Sequence, residues 1–140
     1  MQALDRLLTP FAGRAYAMLR IAAGAMFTFH GVQKIFGVLT EHQPPVGSQL
    51  WIGGLLELVC GITIALGLGT RLAAFLASGM MAVAYCQFHW QFQLGSGLIP
   101  TVNRGELAVL YCLTFFYVAC KGAGPWSLDG RRLPGSASIA

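Results

Sequence analysis

Long apolar stretches joined by short polar connections leave this chain few ways to fold, and ionisable residues set inside those stretches narrow the choice further. Segments at 15–36, 50–68, 72–92 and 105–121 are rich in Leu, Ile, Val, Phe, Ala and Gly. A hydrocarbon core about 30 Å thick takes roughly 20 such residues per helix. The segments therefore predict an all-α polytopic membrane protein, a bundle of four transmembrane helices forming a single domain over 1–140. The two central segments carry the strongest signal. The last is short, at 107–119, unless Gly105, Glu106 and the residues up to Lys121 are counted with it.

Composition agrees, with 56% hydrophobic residues, 10% charged residues and a mean hydropathy of +0.64. A soluble helical protein is the alternative, but 140 residues enclose too little volume to bury four such segments. The beginning does not read as a cleavable signal, because Asp5, Pro10 and Arg14 precede a long apolar span without a small-residue cleavage site. With four spans, the N-terminus, the 67–71 turn and the C-terminal tail share one side. They carry Arg6, Arg14, Arg71, Lys121, Arg131 and Arg132, against Lys34 and Arg104 on the other. The positive-inside tendency then puts both termini in the cytoplasm of a bacterial inner membrane. The net charge of +4 follows from this bias. It points to anionic lipid as a partner and requires no nucleic acid.

The connections differ in kind. Residues 37–49 are polar and broken by Pro44 and Pro45, which suits an external loop. The GLGTR turn at 67–71 is tight enough to force its two helices antiparallel and adjacent. Residues 93–104, QLGSGLIPTVNR, mix Gly, Pro and apolar side chains; this segment either dips into the interface or covers the external mouth of the bundle.

Polar residues inside spans are costly and must face protein, water or one another. His30 and Lys34 stand four apart and share a helix face, with Arg20 ten residues earlier, roughly 15 Å down the axis. Glu57 is the most telling, lying well inside an apolar run where a carboxylate needs compensation. A His30–Glu57 pair is topologically reasonable. At the start of the fourth span Asn103 and Arg104 suit the interface, and Glu106 points toward His30 or Lys34. Each has a plain structural alternative: a packing hydrogen bond for His30, snorkelling for Lys34, and a macrodipole role for Glu106. Jointly, His30, Lys34, Glu57, Asn103 and Glu106 converge in the external half, a set fit to bind a small polar ligand, move a proton or grip a quinone head group.

Tyr85, Cys86, Gln87, His89 and Trp90 lie near the same external end. Cys86 and His89 at i,i+3 permit joint metal binding on spacing alone, and packing is the stronger reading. Trp51 and Trp90 suit an external aromatic belt, and Trp126 the inner interface. Cys60, Cys86, Cys112 and Cys120 form no CxxC pair and resemble neither a zinc nor a disulfide framework. His30 and His89 form the credible pair for axial ligation of a haem, a minor alternative. No phosphate loop, dinucleotide fingerprint, HExxH or serine-nucleophile motif is present.

Four motifs stand in order along the chain: Arg20 followed by HGVQK at 30–34, ELVCGITIALGLGTR at 57–71, NRGELAVLY at 103–111, and the tail KGAGPWSLD at 121–129. Together, over nearly the whole chain, they resemble the DoxX family of small bacterial membrane proteins. The resemblance implies a four-helix integral membrane protein associated with respiratory or thiol redox chemistry. Its relatives include the membrane part of a thiosulfate:quinone oxidoreductase. It implies that His30, Glu57 and Glu106 handle protons at a quinone, with Arg20, Lys34 and Asn103 binding it. The redox cofactors would sit on a partner subunit, since these side chains cannot deliver electrons themselves. Other membrane or redox subunits, or further copies of the chain, are the expected partners. A non-catalytic structural or assembly subunit and a small-solute or proton transporter are the competing readings, and whether the chain is itself an enzyme is left open.

Overall fold

Breakers and caps in the sequence decide where each helix starts and stops. In the structure, a computed structural model that describes residues 2–132, helix α1 spans Gln2–Leu8. A 3-10 turn at Thr9–Phe11, with Pro10 in its first positions, leads into α2, Ala12–Phe36. Gly37 adopts φ 67°, and its N–H donates to the Gln33 carbonyl at 2.9 Å, ending α2. Ser48 accepts from the Trp51 N–H and starts α3, Gln49–Leu66. Helix α4, Thr70–Ala84, runs on into a π-helical turn, Tyr85–Trp90. A 3-10 turn at Gly95–Leu98 and the short α5, Pro100–Asn103, lead to α6, Glu106–Lys121. Helix α7, Leu128–Arg132, closes the described chain. The expected domain also took in Met1 and residues 133–140, which lie outside the described residues.

The fold is all-α and membrane-associated. Among the described residues, two helical stretches are long and apolar enough to cross a bilayer, Gln49–Leu66 and Thr70–Trp90. Physical reasons separate the other two long helices from them. Helix α2 has 25 residues but includes Arg14, Arg20, His30, Gln33 and Lys34. Helix α6 has 16 residues, about 24 Å of rise against a core of about 30 Å.

Helices α2 and α3 meet along a seam of glycines. Gly24 and Gly31 are seven apart on α2, as are Gly54 and Gly61 on α3, and so each pair lies on one face. The helices run antiparallel, with Gly24 against Gly61 and Gly31 against Gly54. A Cβ at Gly31 would stand 2.4 Å from the Leu58 nitrogen and 2.7 Å from the Gly54 oxygen. Backbone touches backbone, as small residues permit between membrane helices. Helix α6 packs on α4, and Phe27, Tyr111 and Phe115 form an aromatic centre with ring centroids 4.8–5.4 Å apart. Phe27, Phe115, Ile64 and Val118 are each less than 2% exposed, which makes this the core.

One end of the helix assembly, carrying the 67–69 turn and the tail, is locked by charged side chains acting on helix ends. Gly67 at φ 69° closes α3 with paired bonds, its own N–H to the Ile64 carbonyl and that of Leu68 to Thr63, a Schellman arrangement. Arg20 is fully buried and donates to the carbonyls of Ile64 (2.6 Å), Ala65 (2.7 Å), Trp126 (2.8 Å) and Pro125 (3.2 Å). It joins the last turn of α3 to the tail. Arg71 donates to the Ala119, Cys120 and Lys121 carbonyls at the end of α6. The Tyr16 hydroxyl donates to the Gly122 carbonyl.

Gly122 ends α6, its N–H donating to the Val118 carbonyl at 2.8 Å. The Asp129 carboxylate accepts from the Gly69 and Thr70 N–H groups and the Thr70 hydroxyl, at 2.9–3.0 Å. It caps the start of α4, where orphan N–H groups and the helix dipole favour an anion. Arg71 caps α6 itself, and the Arg132 side chain lies outside the described part.

Candidate functional site

At the opposite end, which carries the 37–48 and 91–105 connections, the glycine seam determines the chemistry. Lys34 lies one turn beyond Gly31, and Glu57 one turn beyond Gly54. The Lys34 Cβ would be only 2.6 Å from a Cβ at Gly54. This close approach lets Lys34 Nζ donate to Glu57 Oε1 at 2.6 Å. The expected His30–Glu57 pair is thus replaced by Lys34–Glu57, since the longer lysine reaches across the seam.

Burial divides this pair unevenly. The Lys34 side chain is 32% exposed and that of Glu57 only 8%. Glu57 Oε2 has no hydrogen-bond partner among the described residues. A buried acceptor left open costs about 1–3 kcal/mol, so the second oxygen is a place where a donor would be welcome.

That carboxylate lines a cavity of about 210 Å³. Phe27 and Tyr111 form its apolar wall, Met81 and Leu107 flank it, and His30, His89 and Arg104 add polar groups. His30 is half-buried and meets Tyr111 edge-on, with ring centroids 6.1 Å apart. It makes no hydrogen bond to another described residue. His89 lies within bonding distance of the Asn103 carbonyl, with Nδ1 3.3 Å away, which leaves its Nε2 free to serve the cavity. A second cavity of about 380 Å³ lies between α3 and α4 and shares Lys34, Glu57, Met81 and His89 with the first.

The π-helical turn and the 93–105 connection hold these groups in place. Asn103 is the hub. Its Nδ2 donates to the Gly97 carbonyl (2.8 Å) and to the Tyr85 hydroxyl (3.2 Å), and its Oδ1 accepts from the Gly105 N–H (2.8 Å). Tyr85 in turn donates to the Leu98 carbonyl at 2.6 Å. The connection is therefore pinned over the mouth of the helix assembly, and Arg104, at φ 60°, follows the hub onto the cavity rim. π-helical turns are often found at functional sites.

The structure brings His30, Lys34 and Glu57 together as the sequence suggests and places Asn103 behind them as a support. Glu106 opens α6 as an exposed acid and does not line the cavity. Arg20 belongs to the other end, committed to four carbonyls. His89, Arg104 and Tyr111 join the site without having been singled out for it, although His89 had been paired with His30 across the bundle. Their signal is topological: the antiparallel return of α4 and α6 to the depth of His30. All four cysteines are free; Cys60 is buried and Cys120 exposed. Among the described residues no group of three His, Cys, Asp or Glu is placed to hold a metal ion.

Apolar helices on the outside and a charged pair enclosed between them define the class, an all-α membrane-associated protein with a polar internal pocket. The DoxX family model matches residues 15–90, covering most of α2, all of α3 and α4, and the π-helical turn. An uncharacterized protein of Haemophilus influenzae is 40% identical over 119 residues, which is 82% of this chain and 88% of that protein. The chain belongs to the DoxX family. No solved structure matches it. His30, Lys34, Glu57, Met81 and His89 lie within the matched region; Asn103, Arg104 and Tyr111 come from the remainder.

Proposed function

We propose that this protein is a four-span subunit of the bacterial inner membrane, both termini cytoplasmic, that binds a quinone head group beside Lys34 and Glu57 in a membrane redox system. The open, buried Glu57 Oε2 carries the reading. Large apolar side chains half exposed on all four long helices support the spans, among them Met26 and Phe29 on α2, Val59 on α3, Phe75 on α4 and Leu110 and Phe116 on α6. A soluble protein rarely presents apolar surface so widely.

The donors and acceptors suit a quinone and its reduced form in different ways. A carbonyl oxygen would accept from the His30 ring, from His89 Nε2 or from Lys34 Nζ. A hydroxyl would donate to Glu57 Oε2, and Phe27 and Tyr111 offer a face for the ring. The ligand supplies two-electron, two-proton chemistry when bound. The chain supplies proton acceptors and donors at His30 and Glu57, and Arg104 and Lys34 stabilise negative charge on oxygen. Electrons come from a partner subunit bearing a redox centre. Glu106, exposed at the start of α6, and Arg20, occupied at the tail, act as structural groups in this reading; Asn103 positions His89 and Arg104.

The test is saturable binding of a tail-bearing benzoquinone to the purified protein in lipid nanodiscs, followed by tryptophan and tyrosine fluorescence. Glu57→Gln should weaken binding of the reduced form at least tenfold while the protein stays folded. No saturable binding to the parent protein sinks the proposal. The second reading, an assembly subunit whose polar cluster only fastens helices, is favoured by the Lys34–Glu57 bond across the seam. It expects Glu57→Gln to loosen the fold or its complexes without any change specific to quinone.

A further inference from the structure

The larger of the two cavities beside Glu57 lies between α3 and α4, which together with the π-helical turn form the two described stretches apolar and long enough to cross a bilayer. Lipid must therefore surround its outer face. Its rim includes Leu50, Ile52, Leu56, Val83 and Phe88, each 42–50% exposed. Its inner wall is Lys34, Glu57, Met81 and His89, the same residues that line the smaller chamber. Glu57, eight residues into α3, lies about 12 Å below that helix start. Across the top a side-chain bond joins the helices, from Gln49 Nε2 to Gln87 Oε1 at 2.5 Å.

We infer that the pocket admits its ligand sideways from the lipid, between the Gln49 end of α3 and the π-helical turn of α4, and that this ligand is an amphiphile: a compact hydrogen-bonding head at Glu57 with an apolar chain lying in the α3–α4 groove. The inference rests on the proposed function for the placement of the spans in lipid and for the identity of the head. The groove and the polar chamber share Lys34, Glu57, Met81 and His89. The rim of the groove carries Leu50, Ile52, Leu56, Val83 and Phe88, with Gln49 and Gln87 across the top and the charged Lys34 and Glu57 at its inner wall, an arrangement that suits such a molecule. A small water-soluble solute would gain nothing from it.

Gly53 provides the means of closing the groove without disturbing the fold. It lines the groove, and a Cβ there would meet nothing within 4 Å. Gly79 on α4 is equally open, is exposed, and does not line the groove, so Gly79→Phe is the matched control.

The experiment uses the full chain in nanodiscs and two carboxyl reagents, a lipid-soluble dialkylcarbodiimide and a water-soluble cationic carbodiimide, with modification of the Glu57 peptide read by mass spectrometry. The lipid-soluble reagent should label Glu57 at least tenfold faster than the water-soluble one. Gly53→Phe should cut that labelling at least tenfold, and Gly79→Phe should leave it unchanged. Equal labelling by the two reagents, no labelling by either, or indifference to Gly53→Phe would overturn the inference. Labelling through the groove without any quinone binding would leave the portal standing and remove the proposed head group. Quinone binding with equal labelling would do the reverse.

Discussion

Gly31→Ala is the smallest change that tests whether the glycine seam builds the site. The added Cβ would lie 2.4 Å from the Leu58 nitrogen and 2.7 Å from both the Gly54 oxygen and the Leu58 Cα. Ordinary contact begins at 3.4 Å, so α2 and α3 must separate by about 1.0 Å at this level (3.4 less 2.4). None of these three atoms belongs to a flexible side chain, so the backbone itself has to move. Overpacking of this kind costs about 1–3 kcal/mol, offset by up to about 1 kcal/mol from replacing glycine within a helix. Lys34 lies one turn away, so the same shift would stretch its 2.6 Å bond to Glu57 beyond hydrogen-bonding range. Gly79→Ala is the internal comparison, since open space there, away from the groove, leaves only the helix-propensity gain of about 1 kcal/mol. Reversible unfolding in mixed micelles, followed by circular dichroism, should show Gly31→Ala less stable than the parent and Gly79→Ala equal or more stable. Quinone affinity should fall only in the first. If Gly31→Ala matches the parent in both stability and binding, the seam does not set the site geometry.

Other perturbations separate the two ends of the molecule. Arg20→Lys keeps the charge but loses the planar fork that serves two carbonyl pairs; it should lower stability by about 2 kcal/mol or more and expose the 122–132 tail to limited proteolysis, while leaving Glu57 labelling intact in the protein that remains folded. Asp129→Asn weakens the cap on α4 and should cost about 0.5–2 kcal/mol, read from the same unfolding curves. Lys34→Met leaves the buried Glu57 carboxylate without its partner and should cost about 1–3 kcal/mol; most of this should return in Lys34→Met/Glu57→Gln, and a double variant no better than the single one would refute a direct pair. For orientation, a membrane-impermeant maleimide added to intact cells should label a cysteine placed at His42 and spare the native, exposed Cys120. The opposite pattern would invert the topology.

Periodicity and hydrophobicity are local properties, and the helices they predict are found close to the expected limits. Helix α2 starts at Ala12, three residues before the expected 15, because Pro10 initiates a turn and does not break the helix that follows. The Gly67 turn, the closeness of α3 to α4 and the depth of Glu57 were equally readable. Partner choice was not. From spacing alone His30 and Lys34 are equivalent candidates for Glu57, and only the interhelical distance set by Gly31 and Gly54 favours the longer side chain.

By itself, the sequence determined that this chain forms apolar helices for a bilayer and that a few polar residues must be reconciled with it, because burying an unpaired charge costs more than any local preference can supply. Tertiary structure alone decided how. It assigned Arg20 and Asp129 to locking helix ends, made Asn103 a support, kept Glu106 outside, and drew His89, Arg104 and Tyr111 from distant segments to Glu57. Such assignments depend on which helix faces meet and how closely they approach, and those distances are fixed by packing between elements far apart in the chain.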